Sequence, residues 1–479
     1  MKTNTLLRNL FSLLIILSLL TPLMGCAAPP TNEPAAVPPS GGEDKPTSPP
    51  SEPTAVDEPG EQPPLQTDTA GVKVLQSPVQ RDLAPDVSAA EMEEWRTGNS
   101  AFAFDLYQAL RAETDGNLFY SPYSISTALA MTYAGAAANT EAQMAQTIHF
   151  TLPQERLHPA FNSLDLALSS RGEDAGEDSG AEDQPQPFQL EIANSLWGQE
   201  DYTFLAPFLD TLAMNYGAGL RLVDFASDPQ GSRQKINDWV SAQTNERIKD
   251  LIPPGGIDSL TRLVLANAIY FKADWLHQFD KNLTVDAPFT LLDGSQVTVS
   301  MMGYGRPNVL PYAAGPGYQA ISLPYVGDDI SMLVLVPDAG TFESFESGLS
   351  AEGLDEIIAA LEPRTATLVF PKFQFESEFG LADTLRTLGM ADAFDDTVAD
   401  FSAMDGTNEL FIGGVYHKAF VAVDEKGTEA AAATAVVMQV ESVSMPDLHL
   451  IVDRPFIFLI RDNTSGAILF LGRVVNPVE

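Results

Sequence analysis

The sequence contains very little cysteine: Cys26 is the only one among 479 residues. A chain with one cysteine cannot form an internal disulfide, so its stability must come from packing. Basic residues are also scarce, since 26 Lys and Arg stand against 65 Asp and Glu and leave a net charge of −39. An electrostatic field of that sign repels nucleic acid and anionic lipid. We therefore expect no nucleic-acid partner, and we expect contact with a membrane only through a covalent lipid anchor.

Signatures of common enzymes are missing as well. The chain has no G-x-S-x-G elbow, no H-E-x-x-H pair and no Walker loop, so it lacks the usual marks of hydrolases, zinc proteases and nucleotide-binding proteins. No motif marks His417 and Ser121 as a catalytic dyad. We therefore expect a protein that is not an enzyme, with no cofactor and no metal.

The N-terminus has the pattern of an export signal. Lys2 and Arg8 precede an apolar run over residues 10–20, which is shorter than a membrane span and suits a signal peptide. The run leads to Leu23-Met24-Gly25-Cys26, which resembles the lipobox of bacterial lipoproteins. We predict a lipoprotein signal peptide over 1–25, with Cys26 lipidated and the protein anchored outside the bacterial cell membrane. The alternative is an ordinary secretory signal with an incidental cysteine.

The next segment is rich in proline. Residues 27–88 contain 14 of the 35 prolines together with many Glu, Ser and Thr, a composition too polar to offset the entropy of folding. We predict a lipid-anchored, disordered stalk over 26–89. A second acidic stretch, residues 171–187, is predicted to be a solvated loop.

Residues 90–479 alternate helical and strand patterns and predict an α+β domain. Ser100 is predicted to cap a helix with Phe102, Leu106 and Leu110 on one face, and a second helix is predicted over 127–138. Strands are predicted over 330–336, 365–375, 456–460 and 467–475, and the last two are joined by the turn Asp462-Asn463-Thr464-Ser465-Gly466.

Several blocks of this domain resemble the serpin family in order and spacing. They are Asn117–Ser126, Ile236–Val240, Leu263–Trp275, Phe370–Phe373, Leu388–Met390, Ala399–Ser402, Arg454–Phe456 and Leu469–Pro477. The resemblance implies one domain with three β-sheets, eight or nine helices and an exposed reactive-centre loop. It also implies an inhibitor of serine or cysteine endopeptidases that acts by suicide trapping: the target cuts the loop, and the freed loop inserts into the largest sheet while the target stays attached as a covalent acyl complex.

The segment that would insert is the most informative part of the chain. By resemblance it is the hinge of inhibitory serpins, formed by Glu425, Gly427, Thr428, Glu429, Ala430, Ala431, Ala432, Ala433 and Thr434. Alternate residues of a strand face opposite sides, so Thr428, Ala430, Ala432 and Thr434 would enter the body of the protein, and all are small. About fourteen inserted residues would carry the protease ~45 Å. Gly427 is expected to supply the free φ of a pivot.

The bond to be cut is predicted from the spacing typical of the family. If Glu425 is the seventeenth residue before the bond, cleavage falls between Glu441 and Ser442, which implies a protease that accepts a carboxylate. Slips of register leave Val440, suited to elastase-like targets, and Met438, suited to subtilisin- or chymotrypsin-like targets, as alternatives.

Supporting positions also follow from the resemblance. Ser121, Ser124, Asn194 and His417 match the shutter, a hydrogen-bonded latch under the opening strands, and Trp275 matches the breach, where insertion begins. The stretch 141–149, which matches the cofactor helix of the family, has no Lys or Arg, so we expect no heparin-type activator. We also expect a monomer. The competing hypothesis is a non-inhibitory serpin that acts as a surface binding or chaperone-like module.

Overall fold

The computed structural model describes residues 65–68, 71–171, 188–428 and 446–478. All of them belong to one unit, residues 57–479. The predicted signal peptide, Cys26, most of the predicted stalk and nearly all of the acidic stretch 171–187 lie outside the described residues. The described residues form ten α-helices: α1 (Ala89–Glu113), α2 (Pro122–Tyr133), α3 (Ala138–Ile148), α4 (Gln154–Arg171), α5 (Ala206–Tyr216), α6 (Pro229–Gln243), α7 (Phe342–Ser347), α8 (Ala351–Ala359), α9 (Ala382–Leu388) and α10 (Ser402–Asp405).

Eight strands of the described residues form the first sheet. In spatial order they are β1 (Leu65–Thr67), β2 (Lys73–Leu75), β5 (Leu220–Val223), β4 (Gln189–Gln199), β6 (Leu263–Asp274), β15 (Gly427–Thr428), β14 (Ile412–Val423) and β13 (Phe373–Gly380). The central strand β6 is a nearly unbroken apolar run that is buried along its length, as expected for a strand that is covered on both faces. It pairs antiparallel with β4 and parallel with β14.

In the part of the chain that the structure describes, ten strands form the second sheet. They are β3 (Leu118–Tyr120), β18 (Ile468–Val474), β17 (Phe456–Asp462), β11 (Ile330–Pro337), β10 (Tyr318–Pro324), β9 (Asn308–Gly315), β12 (Glu362–Pro371), β8 (Gln296–Gly303) and β7 (Asp280–Thr290), with β16 (Leu448–Ile451) paired to β12. The main apolar core joins residues of both sheets to α1, α2 and α4. A smaller apolar cluster, which includes Trp197, Trp239 and Val264, lies between the first sheet and α6.

The α+β fold class is confirmed, although the counts differ from the expectation of three sheets and eight or nine helices. Strand β12 pairs with β9 through residues 362–366 and with β8 through residues 369–371. One continuous hydrogen-bonded network therefore replaces two of the expected sheets. Two of the ten helices, α7 and α10, have only six and four residues, and turns this short leave little periodicity in a sequence.

The start of α1 differs from the prediction. The helix begins at Ala89, and its cap is Ser88, which forms a reciprocal capping box with Glu91. Ser100 is a buried residue inside the helix, so the prediction that it caps the helix is wrong. The predicted face is correct, because Phe102, Leu106 and Leu110 are all buried.

Other boundaries moved for recognisable reasons. The predicted helix over 127–138 is α2, which begins at Pro122 and ends at Tyr133. The predicted strand over 365–375 is two strands in different sheets, β12 and β13, which are separated at Lys372. An apolar run gives no sign that the chain passes from one sheet to another. The strands at 330–336, 456–460 and 467–475 are confirmed.

The end of the predicted stalk is folded against the domain. Strands β1 and β2 form a hairpin, and β2 pairs antiparallel with β5 at the edge of the first sheet. Val72 and Val74 are buried there, and Arg81 donates hydrogen bonds to Asn162 and Asp165. The predicted disordered boundary at residue 89 is therefore too late. The short apolar alternation Val72-Lys73-Val74-Leu75 was the sequence signal for this hairpin.

Candidate functional site

The boundary between β6 and β14, called the seam here, is paired over only part of its length. Residues 263–269 of β6 pair with residues 412–419 of β14. Beyond that point the strands separate, and the two residues of β15 lie between them, with Gly427 opposite Asp274 and Thr428 opposite both Ala273 and Val423. A cavity of about 500 Å³ lies beside this end of the seam, lined in part by Tyr270, Lys272 and Phe420. The sheet is thus filled by a short strand at one end.

Thr428 points into the body of the protein. Its side chain is 1% exposed, and its hydroxyl lies 2.7 Å from the hydroxyl of Tyr325. Burial raises the pKa of Tyr325, so this phenol is neutral and either group can donate the hydrogen bond. The orientation is the one that the alternation of a strand predicts for Thr428.

Gly427 is required by close packing and has an ordinary φ. Its φ is not among the positive φ values of the described glycines. The expectation that Gly427 is needed for a backbone conformation open only to glycine is therefore wrong. A Cβ at this position would lie 2.0 Å from the carbonyl oxygen of Ala273. Only glycine lets β15 approach β6 this closely.

Glu425 anchors the start of the hinge with its carboxylate. Lys372 Nζ lies 2.8 Å from Oε2, and the Thr284 hydroxyl donates to Oε1 at 2.7 Å. Burial works to raise the pKa of Glu425, but the hydrogen bonds from Lys372 and Thr284 outweigh it and lower the pKa below its usual value. The carboxylate is therefore charged and ties the hinge to β7 and to the start of β13.

Trp275 holds the hinge backbone at the expected breach. Its indole Nε1 donates to the carbonyl of Asp424 at 3.0 Å, and its backbone N–H donates to the carbonyl of Lys426 at 2.8 Å. The indole also stacks on Tyr325 with ring centroids 4.5 Å apart. Asp424 closes the turn, because its carboxylate accepts hydrogen bonds from the backbone N–H groups of Lys426 and Gly427.

A row of polar side chains crosses the first sheet where β6 and β14 are still paired. Asn194 on β4 lies opposite Asn267 on β6, and Asn267 lies opposite His417 on β14. Asn267 Nδ2 donates to Asn194 Oδ1, and its Oδ1 bonds to His417 Nδ1. The seam is therefore spanned by a side-chain hydrogen bond in addition to the backbone ladder.

The N-terminus of α2 supports this row from below. The backbone N–H of Ser121 donates to His417 Nε2 at 3.1 Å, and the Ser121 hydroxyl donates to the Leu469 carbonyl at 2.6 Å. Ser124 Oγ donates to Asn194 Oδ1 at 2.9 Å and accepts from Asn267 Nδ2 at 2.6 Å. The predicted shutter residues are brought together by the structure, and strands of both sheets meet here.

The network assigns the proton on His417. Since Nε2 accepts from Ser121, the hydrogen must sit on Nδ1, where it is donated to Asn267. Burial lowers the pKa of His417 to about 3. A second proton on Nε2 would face the N–H of Ser121, so the row holds only while the ring is neutral.

Comparison with known proteins decides the family. The sequence model described as "Serpin (serine protease inhibitor)" matches residues 97–477. The human leukocyte elastase inhibitor is 39% identical over 394 residues, which cover 81% of this chain and 100% of that protein. Human serpin B3 is 38% identical over 406 residues with the same coverage of both chains. The chain belongs to the serpin family.

Solved serpin structures share this fold. Uncleaved ovalbumin superposes with a TM-score of 0.69 at 27% identity, covering 80% of this chain and 100% of ovalbumin. The thermophilic serpin tengpin in its native state superposes with a TM-score of 0.71 at 27% identity, covering 84% of this chain and 97% of tengpin. The model match begins at residue 97, so the β1–β2 hairpin precedes the part of the serpin that defines the family.

Five contributors to the site were missed in the sequence: Asn267, Tyr325, Lys372, Thr284 and Asp424. The clearest signal was Asn267, an amide inside the apolar strand LVLANAIYF, because a buried amide requires partners. Tyr325, Lys372 and Thr284 come from segments distant in sequence, and only the folded serpin shows that they meet the hinge, whereas Asp424 directly precedes Glu425 and closes a local turn.

The remaining predicted residues lie outside the described part of the serpin. These are Glu429, Ala430, Ala431, Ala432, Ala433 and Thr434 of the hinge, and Met438, Val440, Glu441 and Ser442 around the expected bond. Among the described residues, no group of three or more His, Cys, Asp or Glu could hold a metal ion, and no helix is long and apolar enough to cross a membrane.

Proposed function

We propose that this serpin inhibits serine endopeptidases by irreversible suicide trapping. The observation that carries the proposal is the seam: β15 already occupies the first two positions of a new strand between β6 and β14, with Thr428 buried. The relatives named as leukocyte elastase inhibitors support an inhibitory role. The chemistry of cleavage belongs to the target protease, and the serpin contributes no catalytic residue.

The register of β15 defines how an inserted strand would run. Because Gly427 lies opposite Asp274 and the pairing is antiparallel, each later residue moves one position back along β6. A strand in this register meets its last β6 partner, Leu263, at Met438. Its inward positions would be Thr428, Ala430, Ala432 and Thr434, which are small enough to enter without steric conflict.

The same register bears on which bond is cut. A protease attached to Met438 would be joined to the last paired residue, with no linker between the sheet and the acyl bond. In an inserted strand of this register, Val440 and Glu441 would lie beyond the end of β6 and would leave such a linker. With the spacing from Glu425, this argument supports Glu441–Ser442 as the reactive bond and a target that accepts a P1 glutamate.

We further propose that the serpin is carried outside a bacterial cell. The support is the sequence: an export-like segment, the lipobox-like Leu23–Cys26 and the proline-rich residues that follow. Cys26 would carry the lipid, and the membrane would be contacted through this anchor alone. Helix α3 has no basic residue in its last turn, so we propose that the serpin requires no heparin-type activator. We also propose that it is a monomer.

The decisive experiment mixes the full chain with a panel of serine proteases that includes a glutamyl endopeptidase and an elastase. We expect an SDS-stable complex larger than the serpin by the mass of one protease, and a released C-terminal peptide that begins at Ser442. A peptide beginning elsewhere would move the bond and the target class but keep the mechanism. Cleavage by every protease without any complex, and without a rise in thermal midpoint, would leave the non-inhibitory binding module.

The matched control is Thr428→Arg. This change places a charged side chain at a position that is 1% exposed, and an unpaired buried charge costs about 3–5 kcal/mol. Insertion should fail while loop cleavage continues, so the variant should be cut as a substrate without forming the complex.

A further inference from the structure

The two strands that border the seam keep one register along its length. Where β6 and β14 pair directly, Asn267 lies opposite His417. At the open end, where β15 separates the two strands, Ala273 and Val423 lie opposite the same residue, Thr428. The offset between the residue numbers of β6 and β14 is the same in both places. A strand that continues β15 in this register would therefore meet both borders of the seam without a shift.

This register identifies the residue of an inserted strand that would be level with the polar row. Counting on from Thr428 along the antiparallel pairing, the sixth following residue, Thr434, comes opposite Asn267 on β6. The same count along β14 brings Thr434 opposite His417. Thr434 itself lies outside the described residues. Insertion in this register would place its hydroxyl between two members of the row.

Insertion would remove the hydrogen bond that spans the seam in the uncleaved protein. His417 Nδ1 donates to Asn267 Oδ1 while β6 and β14 are neighbours. A strand between them would increase the distance between their backbones from about 5 Å to about 10 Å, which is too far for a direct hydrogen bond. Both side chains are fully buried. The Nδ1 hydrogen and the Oδ1 oxygen would therefore each need a new partner, because water cannot reach them.

A single hydroxyl can satisfy both groups. A threonine hydroxyl donates one hydrogen and accepts through its lone pairs, so it can accept from His417 Nδ1 and donate to Asn267 Oδ1. The amide of Asn267 is held in this orientation because its Nδ2 donates to Ser124 Oγ at 2.6 Å. The proton of His417 is held on Nδ1 because Nε2 accepts from the Ser121 N–H at 3.1 Å. Neither side chain has to turn over to receive the hydroxyl.

The inward residues of the hinge match the lining of the seam level by level. The Thr428 hydroxyl lies 2.7 Å from the Tyr325 hydroxyl. The next two inward residues, Ala430 and Ala432, would be level with apolar side chains of the core on both borders, which are Phe271, Val421, Ile269 and Ala419. The following inward level is the one at which both borders carry polar side chains, and the sequence has its next hydroxyl there.

We propose that Asn267 and His417 form a site for one hydroxyl of the inserted strand and that Thr434 fills this site as a positioning residue. The polar row is then rebuilt with four members, from Asn194 through Asn267 and Thr434 to His417. The same side chains that close the seam in the uncleaved protein thus hold the inserted strand in register. The inference rests on the proposed function, because only an inserted strand brings Thr434 to this level.

The test compares the full chain with Thr434→Val, Thr434→Ser and the exchange Ala432→Thr with Thr434→Ala. Valine keeps the shape of threonine without the hydroxyl, serine keeps the hydroxyl, and the exchange moves it to the level of Ile269 and Ala419. Each loop is cleaved with the metalloprotease thermolysin, which attacks with a metal-activated water and forms no acyl-enzyme that could be trapped. Mass measurement confirms a cut beyond Met438, and unfolding in guanidinium chloride is measured for the cleaved and uncleaved forms.

We expect the unfolding equilibrium constant of the cleaved form to rise about 5- to 150-fold in Thr434→Val, because buried groups of the row are left unpaired. The exchange variant should lose at least as much, Thr434→Ser should match the wild type, and no variant should change the uncleaved form. A second readout is the NMR signal of the His417 Nδ1 proton. It should be protected from exchange in the cleaved wild type and in cleaved Thr434→Ser, and lose that protection in cleaved Thr434→Val.

A cleaved Thr434→Val form as stable as the cleaved wild type would overturn the hydroxyl site, and so would an equal loss in the cleaved and uncleaved forms. If cleavage stabilises none of the proteins, no strand inserts, and both the site and the proposed function are wrong. If cleavage stabilises the wild type and the variants differ as expected, but no protease forms a complex, the site stands and suicide trapping is wrong.

Discussion

The neutral histidine under the seam makes the stability of the uncleaved serpin depend on pH. The pKa of His417 is about 3 in the folded protein, against an ordinary value of 6.5. Between these values the unfolded chain binds more protons than the folded one, so stability falls as pH falls through that window. From pH 7 to pH 5 the loss from His417 is about 2 kcal/mol. His158, whose pKa burial lowers to about 4, should contribute a similar loss over the same interval.

The assay is urea unfolding at pH 7 and pH 5 for the wild type, His417→Gln and His449→Gln. The glutamine amide does not titrate, and any fixed cost of the substitution cancels in the difference between the two pH values. From the two buried histidines we expect the wild type and the exposed control at position 449 to lose about 4 kcal/mol, and we expect His417→Gln to lose about 2 kcal/mol less than either. An equal pH dependence in all three proteins would show that His417 is not held neutral and would refute the assigned hydrogen-bond row.

Two other substitutions test the packing and the polar row of the site. Gly427→Ala should destabilise the uncleaved form by about 1–3 kcal/mol in thermal unfolding, because the added Cβ would collide with the Ala273 carbonyl. The control is Gly380→Ala, whose added Cβ meets open space and which should be nearly neutral. Equal effects of the two substitutions would contradict the close approach of Gly427 to β6. Asn267→Leu should cost about 2–5 kcal/mol, because His417 Nδ1 loses its acceptor and the oxygens of Ser124 and Asn194 each lose a donor, and it should speed spontaneous insertion. Asn282→Ala on exposed β7 should do neither. An unchanged insertion rate in Asn267→Leu would show that the polar row does not control opening of the seam.

Much of the fold could be predicted because its strongest patterns are local. The apolar runs of β6, β11 and β17 and the turn after Asp462 indicate strands and their connection directly. The start of α1 could have been found as well, since Ser88 and Glu91 have capping-box spacing. The joining of two expected sheets through β12 could not, because it depends on which strands lie beside Glu362 and Pro371 in space.

The site was predicted as separate residues, and the structure shows how they act together. Resemblance supplied Ser121, Ser124, Asn194 and His417, but the bond that spans the seam is made by Asn267, which joins all of the row. Resemblance also pointed to Gly427, but the physical reason given for it, a free φ, was wrong. Whether a glycine is needed for φ or for contact depends on the distance to another strand, and one chain segment read alone contains no such distance.

The position of the barrier to insertion follows from these contacts. Thr428 already pairs with both β6 and β14, so under the proposed mechanism the first step of strand entry is complete before the target cuts the loop. Glu425 and the backbone groups that Trp275 contacts all precede Thr428 in the chain. Their contacts need not break as the strand lengthens. What must break is the pairing of residues 263–269 with 412–419 and, with it, the bond between Asn267 and His417. The rate of opening is therefore expected to depend on the polar row, and much less on the anchored base of the hinge.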